Sequence, residues 1–581
     1  MKINKNILEL YFKLLPVQIF LVIAGGLSNI INGLVIGNML SPTAMIALGY
    51  VVPLSALMSA IATIVSGGSG IMCGKYMGTG EADKVNSVYS NALILSGFFG
   101  LLLTVACFVF ATPIANLLGA KGDTLADTAL YIRGIGFGVI PLLMIPTLMT
   151  FLQMCNKSNF SLFSTILLAI FNTIFGLIAV RVIKGGIFGI GVATSLSRWA
   201  TILVMFIYIR AQKNLIRFNP KNLDKSILIK MVMLGSPASL GGILYPIRNM
   251  FINHFAFDIA GDDAVNSLAI LNSVGTFYDS FNIGVLNTTM MLGSVFVGER
   301  DSRSLKDLIG TSVVIGELLA VPKLLVSYLY GSNIAMMFGA QGDVIAMSKE
   351  LLILYAWSTV PNMITVTMMA IFQSLSRVSF CNFLYPINCI IVPLICCAVI
   401  APVTGIRAIW GLYFWAEIVT LIVFYLNGCF HKKGLATSLD DIIYLDSDFD
   451  TATKYSISID KIEEVVYVSK YIQDFCLQNG IDSKRAMLSG LCMEEMAGNI
   501  VDHGFKKDNK ENTIDVFACV ENDEVFLRLR DNCVPFDPHT KLQMYTGNDP
   551  LKNIGIKMVS KIAKEMNYQT TFGMNVLMIR L

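Results

Sequence analysis

Long apolar stretches separated by short polar loops fill roughly the first three quarters of the chain. Twelve of these stretches reach about 20 mostly apolar residues, the length that an α-helix needs to cross a bilayer. The pattern therefore predicts twelve membrane-spanning helices before residue 433. Their approximate centres are Ala24, Ala60, Leu102, Pro141, Ala169, Met205, Tyr245, Ile283, Leu318, Pro361, Pro393 and Val419.

After Lys433 the pattern changes to shorter amphipathic segments. Apolar residues at helical spacing predict three helices, at residues 462–477, 484–503 and 554–566. Alternating residues predict four strands, at residues 513–520, 524–530, 570–572 and 576–581. The fold class predicted for this region is an α/β sandwich.

The membrane region is a duplication. Leu118-Gly-Ala-Lys-Gly-Asp123 recurs as Phe338-Gly-Ala-Gln-Gly-Asp343, and Gly342 follows Gly122 by 220 positions. Internal repeats of this kind are typical of transporters, in which the substrate site lies between the halves. We predict an N-terminal lobe over residues 1–220, a C-terminal lobe over 221–433, a linker over 434–454 and a soluble domain over 455–581.

Composition and charge agree with this division. Of the 581 residues 55% are hydrophobic and 14% are charged, against about 25% charged in soluble proteins. Lys and Arg concentrate in alternate loops, above all between residues 210 and 230, and such loops stay in the cytoplasm. We therefore expect a multi-pass protein of the bacterial inner membrane with both ends in the cytoplasm. Its expected partners are lipid and a small organic substrate, and no nucleic acid.

The duplicated unit resembles the MATE (multidrug and toxic compound extrusion) family. The resemblance rests on Leu15-Pro16, Val35-Ile36-Gly37, Gly78-Thr-Gly-Glu81 and Leu118-Gly119-Ala120 in that order, and covers about residues 10–430. It implies an all-α bundle of two six-helix lobes around a central cavity. It also implies antiport, in which an organic compound leaves in exchange for H⁺ or Na⁺.

Polar residues inside the predicted spans are candidates for the transport cavity and for ion coupling, because charge in lipid is costly without a partner. The N-lobe spans hold no acid, and Asn32 stands where many family members have an aspartate. We therefore predict that C-lobe acids set the coupling. Arg248 with Asp279, or Glu317 with Lys323, could equally form structural pairs. The candidate residues are Asn32, Asn172, Arg248, Asn253, Asp279, Glu317 and Glu417.

Three motifs carry the chemistry of the soluble domain. Glu495 and Asn499 are four residues apart, so they share a helix face and suit phosphoryl transfer with Mg²⁺. Asp531 ends a predicted strand, where a carboxylate can accept the adenine amino group. Asn553 and Gly555 open a helix, whose N-terminus can receive phosphate.

Together these motifs resemble the GHKL (histidine-kinase-like) ATPase superfamily, and within it the anti-sigma-factor serine kinases. The resemblance implies that ATP and Mg²⁺ bind, with Glu495 as general base, Asn499 as magnesium ligand and Asp531 as adenine anchor. Cys533 replaces a usual glycine, and Asn553 takes the first glycine place of a Gly-x-Gly motif. Further candidates for the nucleotide site are His503, Asn532, Asn553 and Gly555.

These predictions favour a secondary transporter that exports an amphipathic or cationic compound and is regulated by its ATP-binding domain. No P-loop motif that would let ATP drive transport directly is present in the sequence. The alternative is a membrane receptor whose transport-inactive bundle controls an anti-sigma-type serine kinase. The soluble domain could act as a serine kinase on a protein target, act as an ATPase, or only bind nucleotide.

Overall fold

The computed structural model describes residues 5–39, 42–212, 216–220, 223–445, 454–459, 461–505, 512–521, 523–538 and 554–581. Side chains are described in these ranges except those of residues 26–39, 42, 43, 45 and 123. Asn553 therefore lies outside the described residues, and Asn32 is described by its backbone alone.

The described part of the membrane region consists of helices and short connections, as the apolar pattern predicts. Its helices are α1 (Lys5–Met39), α2 (Pro42–Gly78), α3 (Ala82–Val109), α4 (Ala111–Leu117), α5 (Asp123–Gly136), α6 (Val139–Met154), α7 (Ser158–Arg181), α8 (Gly186–Ala211), α9 (Lys225–Gly298), α10 (Ser302–Met337), α11 (Asp343–Ser374), α12 (Val378–Thr404) and α13 (Ile406–Lys432). A short helix, α14 (Leu439–Ile443), follows and begins with a capping box at Ser438.

Ten helices in the described part of the chain are long and apolar enough to cross a membrane, or eleven if the bent pair α5 and α6 forms one span. Helix α9 has 74 residues and breaks at Ala260 and Gly261, where the backbone leaves helical geometry. At about 1.5 Å per residue it is far longer than a bilayer is thick. Twelve spans result only if its two parts are counted separately, so that number stays a prediction.

The duplication reappears as a nearly two-fold contact between α2 and α9. A Cβ atom on Gly78 would overlap the carbonyl oxygen of Val295, and one on Gly298 would overlap that of Lys75. The repeat offset of 220 carries Lys75 onto Val295 and Gly78 onto Gly298. Equivalent residues of the two lobes therefore form this contact, which we call the seam, and glycine permits the close approach.

Gly68 and Gly67 offer a matched test of a second close contact, between α2 and the first part of α9. A Cβ atom on Gly68 would overlap the Met231 carbonyl oxygen, whereas one on Gly67 meets nothing within 4 Å. Both changes to alanine give α2 the same gain in helix propensity. We expect Gly68→Ala to destabilise the purified protein by about 1–3 kcal/mol through overpacking, and Gly67→Ala to leave its melting temperature unchanged or raise it. Equal melting temperatures would contradict this close packing of α2 against α9.

The soluble domain is a two-layer α/β sandwich, as predicted. Its elements are β1 (Lys454–Ile459), α15 (Glu464–Gln478), α16 (Ser483–Gly504), β2 (Ile514–Glu521), β3 (Glu524–Asp531), α17 (Ile554–Ile562), β4 (Glu565–Thr571) and β5 (Met574–Arg580). The sheet order is β1-β2-β3-β5-β4, and every neighbouring pair is antiparallel. Helices α15, α16 and α17 share one apolar core with one face of this sheet.

The soluble domain differs from the sequence prediction at the α17–β4 junction, where β4 begins at Glu565 rather than at residue 570, and in having the strand β1. Helix α17 ends at Ile562 rather than at residue 566, because Glu565–Thr571 pairs with β5 along its whole length. Strand β1 was not predicted, since it begins at Lys454 beside the polar linker. Pairing between strands decided both cases, and local periodicity does not reveal such pairing.

Candidate functional site

Helix α16 places Glu495 and Asn499 side by side, as their spacing predicts. The helix begins at the N-cap Asp482, whose side chain accepts from the backbone of Lys484 and Arg485. Its other face is buried in the domain core, while Glu495 and Asn499 stay partly exposed. The Asn499 amide nitrogen donates to the Glu495 carbonyl oxygen at 2.6 Å. The amide oxygen of Asn499 is therefore the atom available to a cation.

Gly555 lies directly against the Glu495 carboxylate. A Cβ atom on Gly555 would overlap Glu495 Oε2. The structure thus joins the first and third motifs, which are 60 positions apart, at the N-terminus of α17. This helix terminus offers backbone N–H groups to phosphate next to the proposed general base.

Asp531 ends β3, and its carboxylate is held in place. The backbone N–H of Cys533 donates to Oδ1 at 2.9 Å, and the Asn575 side-chain amide donates to the same atom at 2.8 Å. These bonds leave Oδ2 to a ligand donor. Burial raises the pKa of Asp531 to about 6, although the hydrogen bonds from Asn575 and from the backbone and thiol of Cys533 oppose the shift.

This raised pKa predicts a pH-dependent affinity for ATP. An ionised carboxylate accepts a hydrogen bond from an amino group, and protonation removes both its charge and one acceptor. We expect the Kd for ATP to be nearly constant above about pH 7 and to rise about tenfold from pH 7 to pH 5. Equilibrium dialysis across this range, with Asp531→Asn as the variant that cannot titrate, checks it. Parallel profiles for the two proteins would contradict the assignment.

The other described candidates for the nucleotide site, His503 and Asn532, lie in two different surroundings. His503 is exposed and stacks on Phe536, with 5.7 Å between ring centroids, at the loop that follows Asp531. Asn532 accepts from the Thr513 backbone at 3.1 Å and donates to Glu9 of α1 at 3.3 Å, so it points away from the motifs.

Asn575 and Tyr568, which hold the Asp531 carboxylate in place, were not identified from the sequence. Asn575 donates to Asp531, and it accepts from the Tyr568 hydroxyl at 3.0 Å. The same hydroxyl accepts from the Phe536 backbone, also at 3.0 Å. Both residues lie on the closing strands, where an alternating pattern gives no sign of a role beside a ligand.

The membrane region holds a polar cluster around Asp279 of α9. The Tyr355 hydroxyl donates to Asp279 Oδ1 at 2.6 Å, and the charges of Lys323 and Arg248 act on the same carboxylate. Lys323 is buried and donates to Asn282 at 2.7 Å. The guanidinium of Arg248 lies over two tyrosine rings, Tyr245 at 4.8 Å and Tyr413 at 5.1 Å.

Neither predicted ion pair closes in the described part of the chain. The charge of Lys323 acts on Asp279 rather than on Glu317, and that of Arg248 acts on Asp279 without an ion pair between them among the described residues. Oε1 of Glu317 is buried without a hydrogen-bond partner among the described residues. Arg248, Asp279 and Lys323 therefore form one group on α9 and α10 rather than two separate pairs, one of them with Glu317.

Glu417 of α13 forms a second buried polar cluster in the C-lobe. It is 8% exposed and accepts from the Asn388 side chain at 3.1 Å, and Asn388 also donates to Thr420. Asn388 lies in a π-helical stretch of α12, Ile387–Ile391, and such stretches are frequent at functional sites. Asn172 is buried on α7, whereas Asn253 is partly exposed on α9.

The soluble-domain residues fit a magnesium nucleotide. Mg²⁺ usually takes one or two protein oxygens together with phosphates and water, so the Asn499 amide oxygen is an adequate ligand. Asp531 presents a fixed acceptor, and Gly555 permits close approach at the start of α17. Bound Mg²⁺·ATP would supply a transferable phosphoryl group, and Glu495 would accept the proton of an attacking hydroxyl.

Comparisons with known proteins match both regions. The MatE family model matches residues 18–178 and 237–397, one stretch for each half of the duplication. The histidine kinase-like ATPase domain model matches residues 460–581.

Similar proteins give the same result for the membrane region. The probable multidrug resistance protein YoeA of Bacillus subtilis (strain 168) is 22% identical over 57% of this chain and 73% of its own. The multidrug export protein MepA of Staphylococcus aureus (strain MSSA476) is 21% identical over 56% and 72%.

A solved structure shows the same fold. A MOP superfamily transporter from Pyrococcus furiosus superposes with a TM-score of 0.68 at 18% identity, covering 74% of this chain and 96% of its own. Because the MatE model alone matches more than half of the residues, the chain belongs to the MatE family, and it carries a histidine kinase-like ATPase domain at its C-terminus.

Proposed function

We propose that this protein is a secondary antiporter that exports an organic, amphipathic or cationic compound and is regulated by its ATP-binding domain. The observation that carries the transport proposal is that the C-lobe of a MatE bundle holds two polar clusters with a carboxylate, at the partly buried Asp279 and at the buried Glu417. Charges inside a bilayer are retained where they serve an ion or substrate pathway. Either carboxylate can bind H⁺ or Na⁺ in exchange for a cationic substrate.

Gradient-driven efflux from sealed vesicles tests this proposal. Vesicles containing the full chain are loaded with a fluorescent organic cation and given a proton gradient, a sodium gradient or neither. We expect efflux under one of the two gradients, and an ionophore that collapses that gradient should stop it. Equal efflux under all three conditions, over several organic cations, would contradict antiport.

In this proposal, the position of the soluble domain identifies the end of the bundle that faces the cytoplasm. ATP is a cytoplasmic metabolite, and the Lys and Arg residues of alternate loops favour the same side. The bundle end that faces the soluble domain is therefore the cytoplasmic end, and both chain termini lie there. The protein target of a serine kinase would also be cytoplasmic.

A receptor is the second candidate function. It is favoured by Asn32, a neutral residue where many family members carry an aspartate, and by the similarity of the soluble domain to anti-sigma-factor serine kinases. A receptor would bind the organic compound without exporting it and would change the activity of the domain. Compound-dependent phosphoryl transfer without efflux would select this function.

A further inference from the structure

The second face of the soluble-domain sheet is covered by the membrane bundle. Side chains alternate along a strand, so Phe517 of β2 and Arg528 and Arg530 of β3 point away from the helices of their own domain. All three are nevertheless buried, with exposures of 6%, 4% and 2%. The cytoplasmic ends of both transporter lobes provide the cover.

The C-lobe contact is a buried charge network. Glu299 and Asp301 lie between α9 and α10, and Arg528 Nη2 is 2.7 Å from Asp301 Oδ2. Arg528 also pairs with Glu299 Oε2, while Arg530 lies 3.2 Å from it and donates to Ser304 at 2.9 Å. The two arginines hold the pKa of Asp301 below its ordinary value, although burial opposes them.

The network is strong in charge but incomplete in hydrogen bonding. Asp515 completes it at 3.1 Å from Arg530, which gives three acids and two bases. Glu299 Oε1 and the Nε atoms of Arg528 and Arg530 are buried without a partner in the described part of the chain. In such a buried network the cost of desolvating the charges offsets much of their attraction, whereas removing one partner leaves an uncompensated charge. The contact is therefore specific and also releasable.

The N-lobe contact uses hydrogen bonds and apolar packing of the β4–β5 hairpin. Asn6 of α1 donates to Asp515 Oδ2 at 2.9 Å and accepts from Thr513 at 2.6 Å. Phe572, at the tip of the β4–β5 hairpin, is 2% exposed and packs in the core of the bundle. Lys13 of α1 donates to the Phe572 carbonyl oxygen at 3.0 Å. The same sheet therefore contacts both lobes.

The soluble domain contacts the two lobes through different residues, although the repeat relates the lobes. The offset of 220 places Thr79 and Glu81 in the N-lobe where Glu299 and Asp301 stand in the C-lobe. Glu81 pairs with the exposed Lys84 instead of with the domain. Only the C-lobe turn carries the two buried acids that match the spacing of Arg528 and Arg530.

We propose that the soluble domain is a latch that holds the two lobes together at the cytoplasmic end, directly over the seam. Alternating access moves one lobe against the other. A domain bound to both must therefore release at least one of them before the cytoplasmic end opens. This inference rests on the proposed function, because it assumes that the bundle is a transporter whose lobes move.

Hydrogen exchange of the full chain in lipid nanodiscs tests the docking. We expect Arg528→Glu to shift the docking equilibrium about a hundredfold or more and so to raise deuterium uptake in residues 5–13 and 298–304. Lys564→Glu, a charge reversal at an exposed pair with Glu524, is the matched control and should change neither segment. Unchanged uptake in Arg528→Glu would overturn the latch.

A second measurement tests the seam itself, with Phe572→Ala as the variant to use if Arg528→Glu does not fold. Ser294 is fully buried, and a Cβ atom on Gly74 would overlap its hydroxyl. We expect a membrane-impermeant thiol reagent to modify Ser294→Cys about ten or more times faster once the domain is undocked. If the domain is undocked and the rate at which Ser294→Cys is modified does not change, the latch is overturned. If the hydrogen-exchange and thiol-modification results are as expected but the wild type shows no efflux, the transporter function is rejected instead.

Discussion

Replacing Asp531 by asparagine is expected to weaken ATP binding by about a hundredfold, or about 3 kcal/mol. Cys533 and Asn575 both donate to Oδ1, so the carbonyl oxygen of the new amide stays with them. Its NH₂ group then takes the place of Oδ2 and faces the amino group of adenine. Two donors would oppose each other in a buried site, and such mismatches are the most strongly rejected.

Isothermal titration of the purified full chain with ATP checks this expectation. Asp502→Asn is the matched control, because Asp502 is an exposed acid of the same domain on α16, and its affinity should equal that of the wild type. An affinity of Asp531→Asn within about threefold of the wild type would show that Asp531 is not the anchor.

Replacing Asp279 by asparagine, or Glu417 by glutamine, is expected to abolish gradient-driven efflux. Neither amide can release a proton or balance a bound cation, while both keep the shape and hydrogen bonding of the acid. The Tyr355 hydroxyl and the Asn388 amide can still bond to the remaining oxygen. The bundle should therefore fold, and the loss should concern coupling.

The vesicle assay described above measures this loss. Asp263→Asn, an exposed acid of α9 near the break at Gly261, should leave efflux unchanged. Asn32→Ala should also keep its gradient dependence, since a neutral residue does not carry the proton. Full efflux in both Asp279→Asn and Glu417→Gln would move the coupling site away from the C-lobe acids.

The sequence was most informative where the pattern is local or repeated. The apolar stretches predicted a helical bundle, and the duplication is confirmed by two matches to one family model. Glu495 and Asn499 lie on one helix face because four residues make about one turn. Gly555 was tied to Glu495 only by resemblance, and the structure brings them into contact.

Contacts between distant segments could not be predicted in this way. Arg528 and Glu299 are 229 positions apart and belong to different regions. The alternation of β3 does show two arginines on the face opposite the core, which was the one available signal. It predicts a charged partner without naming it, because an isolated strand carries no information on what covers its second face.

The intramembrane pairs show the same difficulty. Pairing Glu317 with Lys323 followed their closeness in sequence, but six residues place two side chains far apart around a helix. The structure instead brings Lys323 to Asn282 of α9 and to the charge of Asp279. Packing between helices, which the sequence does not encode locally, selected the partners.

Efflux by the full chain with an inactivated nucleotide site tests the central claim most directly, namely that the soluble domain regulates a MatE transporter. Gradient-driven efflux of a fluorescent cation would be compared in vesicles of wild type, Asp531→Asn and Asp502→Asn, each with and without cytoplasmic Mg²⁺·ATP. We predict that ATP changes the rate in wild type and Asp502→Asn and has no effect in Asp531→Asn. Equal rates in all three proteins, with and without ATP, would contradict the account.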